Sequence, residues 1–275
     1  MTFRIAQISD THLSGAKPFF VENFNVVAAA LAASAPDLVV NTGDLSWDGA
    51  SADGDLAEAR RLHETIGLPM RAIPGNHDVG EGHDVPGSKE VPISAERRER
   101  YLRHFGEDYW LTDAPGWRFL GIDALLLATG LEAAAGQLDF VMRAAASSEG
   151  RRIALFVHKP LFDASPAEAA VTGRFVNPAA RGRLLAAFGA VRPAVVASGH
   201  VHQFRSTDSE GMRCVWGPST GFIMPDARQP IYGEKEVGYV EHRFEPGGGY
   251  ASSLARVAGL RRHDIADFAA HFGKM

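Results

Sequence analysis

A single cysteine, Cys214, occurs in 275 residues. No disulfide can form within the chain, and a reducing compartment is its natural setting. Positive charge is not in excess: 28 Lys and Arg stand against 33 Asp and Glu, a net charge of -5. A dedicated nucleic-acid binder would carry a basic surplus or stripe, so no nucleic-acid partner is expected. Long apolar runs are missing too. The richest, Val26–Ala33, is mostly alanine and stops at Ser34, far short of the roughly 20 residues that a membrane-spanning helix needs. Phe3–Ser9 is too short for a signal-peptide core, and Asp10 and His12 follow it at once. The expectation is a soluble, cytoplasmic protein with no membrane partner. The rest of the composition is ordinary, 45% hydrophobic and 22% charged, which excludes long disorder, collagen and a coiled coil. A chain near 300 residues buries about three quarters of its unfolded surface, so a full core is available.

Short β-rich runs alternate with helical patterns. Strands are expected at Phe3–Ser9, Asp37–Asn41, Met70–Ile73, Trp117–Ile122, Ile153–Val157 and Ala194–Ala197. Leu38, Val39 and Val40 are continuously apolar, as in a sheet covered on both faces. Helices are expected at Val21–Ala33, Leu56–Ile66, Ser94–Phe105, Gly136–Ala145 and Pro178–Phe188. After residue 200 strands dominate (Arg213–Trp216, Val237–Phe244, Ala251–Val257), with one late helical pattern around His263–His271. An α/β half followed by a β-rich half points to a two-sheet sandwich flanked by helices, in one domain covering 1–275. Val79–Pro92 and Gly221–Glu236 read as surface loops, rich in Gly, Pro and charge. Loops of that length in a compact domain are often functional.

Five short motifs stand at or just beyond strand ends. They are Asp10-Thr11-His12, Gly43-Asp44, Gly75-Asn76-His77-Asp78, His158, and Gly199-His200-Val201-His202. Taken singly, the first three read equally as polar turns, and His158 as a core or surface histidine. Taken together they converge, because loops beyond the carboxyl ends of α/β strands form the ligand crevice. Carboxylates, imidazoles and an amide oxygen make a mixed O/N ligand set, suited to Mn, Fe, Co or Zn rather than Ca. Asp10 and His12, like His200 and His202, are spaced i, i+2, which on an extended segment turns both side chains the same way. The bridging candidate is Asp44, whose two oxygens can serve two cations. Seven potential ligands with one bridge then make two sites of four protein ligands each.

The ordered set resembles the calcineurin-like metallophosphoesterase family, whose pattern is D-x-H, G-D, G-N-H-[DE], H and G-H-x-H. The match spans positions 10 to 202, with every motif residue present. The resemblance implies a four-layer α/β (α+β) fold, a β-sandwich with helices on both outer faces. It implies a first metal on Asp10, His12, Asp44 and His202, and a second on Asp44, Asn76, His158 and His200. It implies His77 facing the scissile phosphate; a hydroxide activated by the metal pair would then be the nucleophile, His77 would stabilise the transition state or protonate the leaving alkoxide, and Asp78 suits either orienting His77 or a plain turn. Protein Ser/Thr phosphatases of this family carry an aspartate–arginine extension of the second motif and end the third with glutamate. Here Leu45-Ser46-Trp47 and Asp78 stand instead. Purple acid phosphatases place a tyrosine three residues after the bridging aspartate, where this chain has Trp47. Gly217-Pro218-Ser219-Thr220 resembles a segment of bacterial cyclic-nucleotide phosphodiesterase-like members.

The expected activity is therefore hydrolysis of a small phosphodiester, of the cyclic-nucleotide or glycerophosphodiester type. A phosphomonoesterase and a non-catalytic scaffold of the same fold are the alternatives. Lys159, Arg174 and Arg205 are candidates for phosphate contact or for surface charges, and His83 for substrate contact. Asp123 suits either a supporting role beside the metals or a cap. Trp47 suits a pocket lining or a cover for the core.

Overall fold

The computed structural model describes residues 1–272 except 84, 86, 87 and 89. The chain opens with β1 (Phe3–Ile8), α1 (Val21–Ser34), β2 (Leu38–Asn41), α2 (Asp53–Glu64) and β3 (Met70–Ala72). A single helical turn, α3 (Asn76–Val79), and α4 (Ala95–Phe105) lead to β4 (Trp110–Ala114) and β5 (Trp117–Ile122). Next come α5 (Glu132–Ala146), β6 (Arg152–Val157), α6 (Pro178–Ala187), β7 (Val195–Ser198), β8 (Arg205–Ser209) and β9 (Met212–Trp216). The last elements are β10 (Phe222–Ile223), β11 (Tyr239–Phe244), β12 (Tyr250–Ala255), β13 (His263–Asp264) and α7 (Ala269–Phe272).

These strands form two main sheets, ordered β12-β11-β1-β2-β3 and β4-β5-β6-β7-β9-β8. The strands β1, β2 and β3 are parallel to one another. So are β5, β6, β7 and β9. Alternation along each strand separates two cores, as the period of two requires. Ile5, Leu38, Val40, Phe119, Phe156, Val195 and Phe244 pack between the sheets. Ala6, Val39, Leu120, Leu155 and Val196 point outward, into the core shared with Phe24 and Leu31 of α1 and Val141 of α5. Burying each large side chain stabilises the fold by about 1.5–3 kcal/mol. This is the four-layer sandwich that the motif pattern implied.

Several elements differ from expectation. The sheets do not follow the halves of the chain, because β11 and β12 return to pair with β1. Two edge strands, β4 and β8, escape pattern reading: β8 is polar (Arg205-Ser206-Thr207-Asp208) and β4 is interrupted by Thr112-Asp113, and an edge needs no continuous apolar run. The helix expected at His263–His271 begins instead as β13, paired with β10 inside the expected 221–236 loop, and continues as a 3₁₀ turn over Ile265–Phe268. The short β10–β13 pair closes a largely aromatic cluster, in which Ile265 packs with Phe20 and Phe222 and Trp47 lies against them. No helix among the described residues is long and apolar enough to cross a membrane.

Candidate metal centre

All five motifs lie at the carboxyl ends of parallel strands: β1, β2 and β3 from one sheet, β6 and β7 from the other. Three groups of side chains have ligand atoms within 4.8 Å of one another: Asp10, His12 and His202; His12, Asp44 and His77; Asp44, His158 and His200. One oxygen joins them. Asp44 Oδ2 lies 3.7 Å from His12 Nε2 and 3.4 Å from His158 Nε2. The other oxygen, Oδ1, accepts from the His77 backbone N–H at 2.9 Å. Asn76 joins the second group, its Oδ1 3.1 Å from His158 Nε2.

The backbone reaches this arrangement through left-handed kinks, not extended segments. Asp10, His12, Asp44, His200 and His202 have φ between 44° and 66°. Outside glycine such angles are rare, and they cluster at functional sites whose surroundings enforce them. The i, i+2 argument therefore fails for the second pair: His200 sits with Asp44 and His158, whereas His202 sits with Asp10 and His12. The loop expected at Asn76–Asp78 is the helical turn α3. Gly75 allows the crowding there, because a Cβ on it would overlap the Asp44 carboxylate.

Three of the four ligand imidazoles are oriented by their second nitrogen, whereas His12 Nδ1 is buried without a hydrogen-bond partner. His158 Nδ1 meets Thr42 O at 2.8 Å, His200 Nε2 meets Gly173 O at 2.9 Å and His202 Nδ1 meets Phe222 O at 3.0 Å. Donating to these carbonyls leaves the other nitrogen as a lone-pair ligand, the usual support of a metal-binding histidine. Asp10 Oδ2 accepts from Ser9 Oγ at 2.5 Å and from His200 N at 3.0 Å. Its Oδ1 is buried with no hydrogen-bond partner and lies 3.1 Å from His202 Nε2. A buried anionic oxygen without a donor is costly, and a cation shared with these nitrogens satisfies it. The donor set fits two transition-metal ions.

Asp78 clamps the backbone beneath the centre. Its carboxylate accepts from Leu45 N, Ser46 N, Ser46 Oγ and Gly75 N at 2.6–3.1 Å. It thus holds the second motif against the third, rather than the His77 ring. Burial, then Asp44, push its pKa up to about 6, against the pull of those donors. Below the site Gln7 stitches the sheets, donating to Thr42 Oγ1 and Ser198 O and meeting His242 Nε2 at 3.0 Å. For Asp44, burial acts upward, but the His158 and His77 imidazoles hold it well below the usual carboxylate range.

His77 presents its other face to solvent. Its Nδ1 meets Trp47 O at 2.6 Å, which directs Nε2 into a cavity of about 240 Å³ lined by Trp47, Asn76, His77 and Glu90. Burial lowers the pKa of His77, but the Asp44 and Glu90 carboxylates outweigh it and bring it to about 9. Glu90 is a site residue that sequence reasoning missed. Its Oε2 accepts from Asn76 Nδ2 at 2.7 Å.

The other candidates have contacts of their own. Lys159 is locked to Glu81 by two contacts of 2.5 and 2.7 Å. Arg205 pairs with Asp163 and stacks on Trp216. His83 Nε2 is tied to Ile93 O. Asp123 caps the turn at Leu125. Arg174 is half-buried, its backbone N–H donating to Thr172 Oγ1. Trp47 does both expected jobs, lining the cavity and packing on the aromatic cluster. Of the 79–92 loop, residues 84, 86, 87 and 89 lie outside the described residues.

Residues 3–204 match the family model for calcineurin-like phosphoesterases. The chain belongs to this family. No curated protein sequence matches it. Among solved structures, a purple acid phosphatase from yellow lupin (Lupinus luteus) seeds is similar over 96% of this chain and 53% of its own, with 17% identity and a TM-score of 0.67. This family member thus spans about half the length of the lupin protein. GAP50, the anchor in the inner membrane complex of Plasmodium, is similar over 99% of this chain and 94% of its own, with 12% identity and a TM-score of 0.62. A dimetal phosphatase from Danio rerio covers 87% of this chain and 92% of its own, at 13% identity and a TM-score of 0.54. At such identities the likeness is one of fold, and it embraces both enzymes and an anchor, so function has to be argued from the site.

Proposed function

We propose that this calcineurin-like phosphoesterase is a two-metal phosphodiesterase acting on small diesters of the cyclic-nucleotide or glycerophosphodiester class. One observation carries the dinuclear part: a single oxygen, Asp44 Oδ2, is shared between the His12 and His158 sides of the centre. Asp10, His12, Asp44 and His202 would hold one ion, and Asp44, Asn76, His158 and His200 the other. Bound there, such a pair neutralises the phosphoryl oxygens and polarises the attacking water. The chain's own residues do the rest. Asp78 and Gln7 hold the strand ends in register, so the reacting groups keep their spacing. His77 faces the cavity through Nε2, with Nδ1 engaged by Trp47 O. As the water oxygen bonds to phosphorus and the P–O bond to the leaving group breaks, His77 Nε2–H gives its proton to the departing alkoxide, and the proton the water gives up passes to solvent, from which His77 Nε2 is reprotonated. Cations beside it would push its pKa back down towards the range in which that proton is readily given.

The diester preference draws on two features. The second and third motifs depart from the protein phosphatase and purple acid phosphatase patterns at Leu45, Trp47 and Asp78. The lining of the cavity beside His77 includes two acids, Asp48 and Glu90, and no lysine or arginine among the described residues. Loops near 79–92 and 221–236 would shape specificity within one domain, in a cytoplasmic setting. The test is a substrate panel on metal-free protein reloaded with Mn, Fe, Co or Zn. Bis(4-nitrophenyl) phosphate should be hydrolysed with higher kcat/KM than 4-nitrophenyl phosphate. A clear monoester preference would reassign the protein as a phosphatase, and no turnover with any metal would make it a scaffold.

A further inference from the structure

The segment after the third motif carries an acid that none of the motifs contains. Glu81 and Pro92 form a parallel bridge: Glu81 N donates to Val91 O at 2.8 Å, and Ile93 N donates to Glu81 O at 2.8 Å. This short ladder carries Glu90 to the mouth of the cavity. There one carboxylate oxygen, Oε2, accepts from Asn76 Nδ2 at 2.7 Å, and the other, Oε1, stands 4.0 Å from His77 Nε2. The Glu90 side chain is 41% exposed and that of His77 is 31% exposed, so the carboxylate borders both the reacting position and solvent.

Resting on the phosphodiesterase reading, we propose that Glu90 determines specificity by charge and positions Asn76. Two physical consequences follow from its placement. An amide has a donor end and an acceptor end. With its nitrogen engaged by Glu90, Asn76 keeps Oδ1 turned towards His158 and the second metal position. The second consequence is electrostatic. A phosphate presented to His77 Nε2 comes within a few ångströms of a fixed negative charge. A diester brings one negative charge there, whereas a monoester near neutral pH brings close to two, since its second pKa is about 6. The additional repulsion falls on the monoester alone. At this distance and partial exposure, one extra unit charge amounts to about three- to tenfold in binding.

Glu90→Gln and Glu90→Ala separate the two roles. A glutamine oxygen can still accept from Asn76 but carries no charge; alanine removes both. With each protein loaded with manganese, the ratio of monoester to diester kcat/KM is measured on the two nitrophenyl esters. Calorimetric titration of the metal-free proteins with Mn(II) gives a readout independent of turnover. The ratio should rise about three- to tenfold in both variants. Manganese affinity should weaken in Glu90→Ala and recover in Glu90→Gln. A wild type that prefers the diester, with an unchanged ratio in Glu90→Gln, overturns the charge role. Unchanged manganese affinity in Glu90→Ala overturns the positioning role. A wild type that prefers the monoester overturns the phosphodiesterase reading itself, and the charge role with it.

Discussion

Acidifying the metal-free protein should weaken it through one histidine that never touches substrate. His63 lies on α2, 2% exposed. Its Nδ1–H donates to Ala59 O at 2.7 Å, and its Nε2 accepts from Asn41 Nδ2 at 2.8 Å. Asn41 Oδ1 in turn accepts from Gly43 N at 3.0 Å, fixing the turn that presents Asp44. Burial, the largest influence, brings the pKa of His63 from 6.5 down to about 4. As pH falls the unfolded chain takes up this proton first, so stability drops between 6.5 and 4 and no further below. Between about pH 7.5 and about pH 4.5 the loss from this one group is roughly 2–3 kcal/mol. His63→Gln keeps an acceptor for Asn41 but cannot titrate. Denaturant unfolding of both metal-free proteins at the two pH values isolates the contribution, because His242, lowered by burial to about 3, titrates in both and cancels. The wild type should lose roughly 2–3 kcal/mol more than the variant; equal losses would refute the reasoning. The functional corollary is that a protonated His63 points an N–H at an N–H of Asn41. Asn41 must then release Gly43, and the Asp44 turn loosens.

Elemental analysis of reloaded protein should approach about two metals per chain, and Asp44→Ala should lose both, since one carboxylate serves both sides. Saturation at one metal with full activity would refute the dinuclear reading. His77→Ala should keep its metals yet lose about 100- to 10,000-fold in turnover, more with an alkoxide leaving group than with nitrophenolate. An equal defect on both would replace proton donation with charge stabilisation, and loss of metal would make His77 a ligand. Gly75→Ala should destabilise the protein by about 1–3 kcal/mol and weaken metal binding, because the new Cβ overlaps the Asp44 carboxylate. Wild-type melting and metal content in that variant would contradict the packing at the third motif.

How much of this was legible in the chain depends on the kind of signal each feature leaves. Ligand side chains must have particular chemistry, so Asp10, His12, Asp44, Asn76, His158, His200 and His202 stand out by type and order before any folding is considered. Interior strands are equally visible, because β2 and β6 are buried on both faces and hence continuously apolar. Edge strands β4 and β8 face water on one side and carry no such mark. The carbonyls of Thr42, Gly173 and Phe222 that orient the imidazoles leave no trace either, since any residue supplies a carbonyl. The division of His200 and His202 between the two sides of the centre was likewise beyond a spacing argument. Period-two reasoning assumes an extended backbone, and only the packed strand ends force these residues into the left-handed region. Glu90 is the clearest case. As a sequence element it is one acid among 33 Asp and Glu, in a loop without periodicity. Its place beside Asn76 and His77 comes from the bridge between Glu81 and Pro92. Residue chemistry is local and can be read along the chain, whereas proximity across a fold is settled by how the sheets, turns and loops close on one another.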